Sequence, residues 1–199
     1  MSIDSAFTDF PTIVTPRLRL RSVTLADTDA LLAMRSDPEV THPYGHEPYR
    51  SRDESRTWIE NRIAGYKTRE ALYWFFSPLD EDSIVGSCCL WHFDFDSQAA
   101  EIGYELPRSQ WGKGIATEGV SAILRFAFTD LELNRIEACP LADNEPSKKL
   151  LLKLGFTLEG NLRQRVRFHD RYVDQLYYGL LRKDWLDRNR PDAERERPE

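Results

Sequence analysis

Polar and apolar positions alternate along the chain in blocks that predict separate elements. Arg17-Leu-Arg-Leu-Arg21 alternates with period two, the pattern of a half-buried strand. Thr24, with Asp27 three residues on, marks a helix start; Leu25, Leu31, Leu32 and Met34 follow at roughly helical spacing until Asp37–Pro38 ends the run. Thr41–Pro48, with two prolines and a glycine, reads as a loop. Ser51-Arg-Asp-Glu54 forms a capping box before a helix striped with Trp58, Ile59, Ile63 and Tyr66. Leu72–Ser77 and Ile84–Phe93 are β-branched and aromatic, and the acidic turn Asp80-Glu-Asp82 separates them as two strands. Ala99–Leu106 is a further strand, with Ile102, Tyr104 and Leu106 on one face and Glu101, Gly103 and Glu105 on the other.

The second half changes period. Trp111-Gly-Lys-Gly114 is a turn that opens an apolar helix from Ile115 to about Thr129. A strand at Arg135–Cys139 follows, then a helix from Glu145 to Leu154 that stops at Gly155. Phe156–Leu158, Leu162–Phe168 and Tyr172–Leu181 read as closing strands, and the charged stretch Leu186–Glu199 as a fraying tail. No internal repeat or Gly/Ser linker divides the chain. These elements predict one α+β domain with a mixed sheet, residues 17–185, between a leader (1–16) and the tail (186–199).

Composition excludes classes without naming a function. The chain has 199 residues, 41% hydrophobic and 30% charged, a balance suited to a globular fold. Its net charge of −6 argues against a surface devoted to nucleic acid or anionic membrane. Three cysteines without framework spacing fit a reducing cytoplasm, and Met1–Pro16 lacks the basic start and apolar core of a secretory signal. No apolar run approaches the ~20 residues of a membrane span.

The strand–turn–helix from Glu101 to Phe128 carries the most chemistry. The first N–H groups of a helix lack intrahelical partners and sit at its positive end, and glycines before it let a ligand approach the backbone. The turn suits a phosphate or pyrophosphate; the alternative is a tight connection with glycine chosen for its dihedrals. Lys113 is followed by Gly114 without the four-residue spacer of a P-loop, and Thr117 stands where a dinucleotide fingerprint needs its third glycine.

Trp111-Gly-Lys-Gly114-Ile-Ala116 resembles motif A of the GNAT superfamily of acyl-CoA-dependent N-acetyltransferases, [QR]-x-x-G-x-[GA]. Thr15-Pro-Arg-Leu-Arg-Leu20, Ala100-Glu-Ile-Gly-Tyr104, Asn134-Arg-Ile-Glu-Ala138, Asn144-Glu-Pro-Ser147, Leu154-Gly-Phe156 and Glu159-Gly160 resemble its RimJ/RimL-like branch, the ribosomal-protein N-terminal acetyltransferase type. The resemblance covers roughly Pro16–Trp185. It implies a mixed, mostly antiparallel central sheet between helical layers, with the fourth and fifth strands (Ala99–Leu106 and Arg135–Cys139) splayed apart. It implies acetyl-CoA as cosubstrate: backbone amides of Gly112, Lys113, Gly114, Ile115, Ala116 and Thr117 on the pyrophosphate, backbone groups of Tyr104, Glu105 and Leu106 along the pantetheine arm, and Asn144 hydrogen-bonding that arm. It implies transfer of acetyl to a primary amine by direct attack in a ternary complex, with a protein N-terminus or small molecule as acceptor, and a monomer or homodimer.

Three positions depart from the pattern. Trp111 fills the Gln/Arg position. Leu151 stands where many relatives carry a tyrosine that protonates the leaving thiolate, and Cys139 where one group carries a glutamate base. Glu101, in the Ala-Glu-Ile context of a histone-type general base, is the candidate base; the alternative is a solvated strand glutamate. Ser147 is the candidate donor to the sulfur, or else a helix-start serine. The missing tyrosine supports a rival reading, a non-catalytic acyl-CoA-binding or regulatory domain. No metal is expected: Pro43 and Gly45 between His42 and His46 preclude the helix a zinc pair needs. His92 and His169 are single residues, and Cys88–Cys89 lack the context of a nucleophile. Arg163, Arg165 and Arg167 are either a solvated face or part of an acceptor site for a carboxylate or acidic peptide.

Overall fold

In the computed structural model, which describes residues 3–190, one sheet of eight strands runs through the chain in the order β1-β2-β3-β4-β5-β6-β8-β7. The strands are β1 (Ile13–Val14), β2 (Leu18–Ser22), β3 (Ala71–Pro78), β4 (Gly86–Asp94), β5 (Ala99–Glu105), β6 (Arg135–Ala138), β7 (Thr157–Phe168) and β8 (Arg171–Leu181). Every neighbouring pair is antiparallel except β5–β6, which is parallel and therefore needs a helical crossover. That crossover is α5 (Ile115–Arg125), prolonged by a π-helical turn at Phe126–Asp130. The remaining helices are α1 (Ile3–Ala6), α2 (Thr28–Arg35), α3 (Pro38–Thr41), α4 (Arg52–Lys67), α6 (Glu145–Leu154) and α7 (Arg182–Asn189).

The two sheet faces bury different partners. Val120, Ile123 and Leu124 of α5 and Leu151 of α6 join Leu18, Leu20, Trp74, Phe76, Leu90 and Ile102 in the larger core. Leu31 and Met34 of α2 and Ile59 of α4 pack on Phe75 in a smaller one. Each fully buried large side chain contributes about 1.5–3 kcal/mol, so helices on both faces are needed to hold the sheet. Strand alternation produces this division: Trp74 and Phe76 face α5, Phe75 faces α4.

Several expectations are refined. Asp37–Pro38 ends α2 but also starts α3, with the Asp37 carboxylate accepting from Glu39 N–H at 2.9 Å. Thr41–Pro48 is a loop only after a 3-10 turn at His42–Tyr44. The separate strands at 156–158 and 162–168 are one strand, β7: bulges at Leu158/Gly160 and Leu162/Val166 break the alternation without breaking the pairing. Leu186–Asn189, expected to fray, is the second half of α7, where Trp185 packs on Phe128; residues 191–199 lie outside the described residues. In the segment before residue 17, Phe7 and Phe10 pack on Tyr66, and Trp74 Nε1 donates to Pro11 O at 2.7 Å.

Candidate functional site

Strands β5 and β6 pair at three positions, Ala99↔Arg135, Ala100↔Ile136 and Glu101↔Glu137. Beyond Glu101, β5 keeps its partner β4 as far as Glu105↔Ser87, but the β6 chain leans away: Leu141 bridges Gln175 of β8, and Gln175 Nε2 donates to Cys139 O at 3.1 Å. A wedge opens between the two strands, one wall being a strand edge whose main-chain groups can pair with an extended ligand.

The mouth of the wedge is the turn that follows β5. Trp111 Nε1 donates to Leu106 O at 2.9 Å and ties the turn to the strand end. Gly112 (φ 73°) and Gly114 (φ 78°) are left-handed, a conformation glycine adopts without strain, and nothing lies within 4 Å of where a Gly112 Cβ would sit. Gly114 is the N-cap of α5 and offers no side-chain cap, so the N–H groups of Ile115, Ala116 and Thr117 stand at the positive helix end without an intrahelical partner. Open space at Gly112 and helix-end amides without intrahelical partners, following a strand with a free edge, suit an anion that carries an extended polar arm.

Glu101 lies on β5 where pairing with β6 ends. Its carboxylate is 3.2 Å from His92 Nδ1, reached because the bulge after Trp91 turns His92 (φ 47°) towards it. Burial pushes the Glu101 carboxyl above its usual range, against the pull of His92. Cys139 stands nearby; burial and then the charges of Glu101 and Glu137 push its thiol up to about 12, so it stays protonated at neutral pH. Ser147, on α6, sits 2.8 Å (Oγ) from the Tyr104 phenol oxygen. Burial pushes the Tyr104 phenol up, against the pull of Ser147, and the two hydroxyls form one hydrogen-bonded pair beside the wedge. Asn144 caps α6, accepting from Ser147 N–H at 3.1 Å, and its Nδ2 donates to Pro43 O at 3.3 Å. Leu151 is fully buried.

The expected site residues therefore fall on three walls: Glu101 and Tyr104–Leu106 on and just past β5, Gly112–Thr117 at the mouth, Asn144 and Ser147 on α6. Three features escape the sequence. The Tyr104 side chain partners Ser147. Arg17 reaches the turn. Glu105, on the face expected to be polar, is 5% exposed and ion-paired with Arg35 of α2 at 2.6 Å. A charged residue on an alternating strand carries no sign of an arginine supplied by a distant helix.

The remaining candidates lie elsewhere. His42 packs edge-on to Phe168, and His46 has its pKa lowered by burial and by Arg35. Among the described residues, no group of three or more His, Cys, Asp or Glu could hold a metal ion, and no helix is long and apolar enough to cross a membrane. Cys88 is buried; Cys89 is pushed up to about 12 by burial. Arg163, Arg165 and Arg167 are exposed on β7, where the bulge at Gln164 (φ 53°) interrupts their common face.

Residues 17–157 match the family model of the acetyltransferase (GNAT) domain. The uncharacterized N-acetyltransferase p20 of Bacillus licheniformis is 36% identical over 178 residues, 87% of this chain and 98% of its own. The ribosomal-protein-serine acetyltransferase of Escherichia coli is 28% identical over 131 residues, 66% of this chain and 72% of its own. A solved RimL, a ribosomal L7/L12 α-N-protein acetyltransferase in complex with coenzyme A, superposes with a TM-score of 0.77 at 20% identity, covering 86% of this chain and 98% of that one. The chain belongs to the acetyltransferase (GNAT) family and is an acyl-CoA-dependent acetyltransferase.

Proposed function

We propose that this protein transfers acetyl from acetyl-CoA to a primary amine, a protein N-terminus or a small molecule, by direct attack in a ternary complex. The observation that carries this reading is the β5–β6 wedge, which opens at Glu101 and leads to the glycine turn at the N-terminus of α5. Gly112–Thr117 would hold the pyrophosphate through main-chain amides, and Tyr104, Glu105 and Leu106 would offer main-chain groups to the arm. Asn144 would reach the arm by yielding one of its present bonds. The amine nitrogen attacks the thioester carbonyl, the C–S bond breaks, and the amine proton passes to Glu101, whose raised pKa makes it a stronger base. Ser147, held by Tyr104, donates a hydrogen bond to the departing sulfur. Ribosomal-protein acetyltransferases among the relatives favour a peptide N-terminus as acceptor. Three free cysteines suit work in the cytoplasm.

Incubation with acetyl-CoA and a panel of peptides, polyamines and amino acids, followed by free-thiol release, tests the reading. Amine-dependent release is expected. Coenzyme A binding without turnover across the panel would favour a non-catalytic acyl-CoA sensor, the reading that a buried Leu151 in place of tyrosine supports.

A further inference from the structure

The turn at the mouth of the wedge is braced from outside by the segment before β2. Glu118, in the first turn of α5, places a carboxylate where an incoming anion would be repelled. That carboxylate is fully engaged: Thr15 Oγ1 donates to Oε1 at 2.6 Å, Arg17 N–H to Oε1 at 3.0 Å, and Arg17 Nε to Oε2 at 2.5 Å. Arg17 Nη1 donates to Lys113 O at 3.1 Å, inside the turn itself. Its other terminal nitrogen, Nη2, lies 3.4 Å from the position a Gly114 Cβ would occupy and donates to no group of the described protein. The guanidinium is half exposed, while Glu118 is 16% exposed.

Planar guanidinium presents five donors in a fixed fork, and charge-assisted bonds to phosphate oxygens are the strong class. Two nitrogens of this fork are spent on orienting it, and the third faces the anion-binding end of α5. We propose that Arg17 is a phosphate-binding residue: anchored by Glu118 and Lys113 O, its Nη2 donates to the pyrophosphate of coenzyme A seated on the Gly112–Thr117 turn. The anchoring also neutralises Glu118, so the helix end stays attractive to an anion. This assignment rests on the proposed pyrophosphate site and adds to it a side-chain cation that the fold holds beside the turn.

Calorimetric titration tests it with three probes, coenzyme A, dephospho-coenzyme A and pantetheine, none of which requires turnover. Arg17→Met should weaken coenzyme A and dephospho-coenzyme A alike, by about tenfold or more, and leave pantetheine unchanged. Loss confined to coenzyme A would place Arg17 on the 3′-phosphate and overturn the pyrophosphate assignment. Unchanged affinity for all three would overturn it as well, while the pyrophosphate site itself would stand if Gly114→Val abolished binding. Were Arg17→Met to lower the thermal midpoint, Arg17→Lys carries the test, because it keeps a cation beside the turn without the guanidinium fork. Coenzyme A and dephospho-coenzyme A should then bind more tightly than they do to Arg17→Met, with pantetheine unchanged; equal affinity of the two variants would mean that Arg17 acts only as a brace, and the proposal fails.

Discussion

Removing the Glu105 carboxylate should be among the most damaging single changes outside the wedge. Arg35 brings its guanidinium into the smaller core, with Nε 3.0 and 3.1 Å from the two Glu105 oxygens and Nη2 2.6 Å from Oε1. The side chains are 13% and 3% exposed. Tyr44 Oη and Ser87 Oγ also donate to the carboxylate, at 3.0 and 3.1 Å, and Arg35 Nη1 donates to Tyr49 Oη at 2.8 Å while the guanidinium lies 4.1 Å over the Trp58 ring. Burial works against the Arg35 charge, but Glu105 holds its pKa above the ordinary value, and burial pushes the Tyr44 phenol up. All these groups are satisfied only together.

Glu105→Ala leaves a buried cation without its counter-ion, which costs about 3–5 kcal/mol, and strands the Tyr44 and Ser87 hydroxyls. With a urea m-value of about 2–3 kcal/mol/M, the unfolding midpoint should fall by roughly 1–2 M. Replacing both partners, Arg35→Met with Glu105→Leu, leaves no buried charge and should cost markedly less than Glu105→Ala alone, a non-additivity of about 2 kcal/mol or more in a double-mutant cycle. A Glu105→Ala loss below about 1 kcal/mol, or additive single and double changes, would refute the reasoning. The network also ties down the 44–49 segment through Tyr44 and Tyr49, at its two ends; a Cβ added at Gly45 would come within 3.6–3.8 Å of Val166, Leu141 and Phe168.

Other outcomes follow from the same geometry. Glu101→Gln should lower amine-dependent turnover and flatten the acid limb of its pH profile. That limb lies above the ordinary carboxylate pKa because burial raises Glu101, so wild-type activity should climb with pH through the raised value as the base ionises. An unchanged profile would remove Glu101 as base. Tyr104→Phe removes the partner 2.8 Å from Ser147 and should lower kcat more than it changes the acetyl-CoA KM; a raised KM with unchanged kcat would assign Tyr104 to binding alone. Gly119→Ala should destabilise by about 1–3 kcal/mol in urea unfolding, because the new Cβ would fall 2.3 Å from the Phe76 ring; no loss would mean the ring moves freely.

The sequence made the wedge legible and left its supports hidden. Period-two alternation placed Glu101 and Tyr104 on opposite faces of β5, and the glycines placed the turn, because both signals are local. The start of α6 at Glu145 and its stop at Gly155 were equally readable, whereas the capping of that helix by Asn144 was not read. The Arg35–Glu105 pair spans 70 positions and the Arg17–Glu118 pair 101, and neither leaves a local trace. The single strand β7 read as two because bulges shift its register, and positive φ at Gln164 falls on a residue type with no preference for it. The second half of α7 looked like tail because its charged residues follow the one anchoring residue, Trp185.

Diffraction from crystals grown with coenzyme A tests the central claim most directly. The account predicts density for the pyrophosphate on the amides of Gly112–Thr117, the arm along the β5 edge past Glu101, and the sulfur within hydrogen-bond reach of Ser147 Oγ. Coenzyme A bound away from the wedge, or a wedge closed by β5–β6 pairing beyond Glu101, would contradict it.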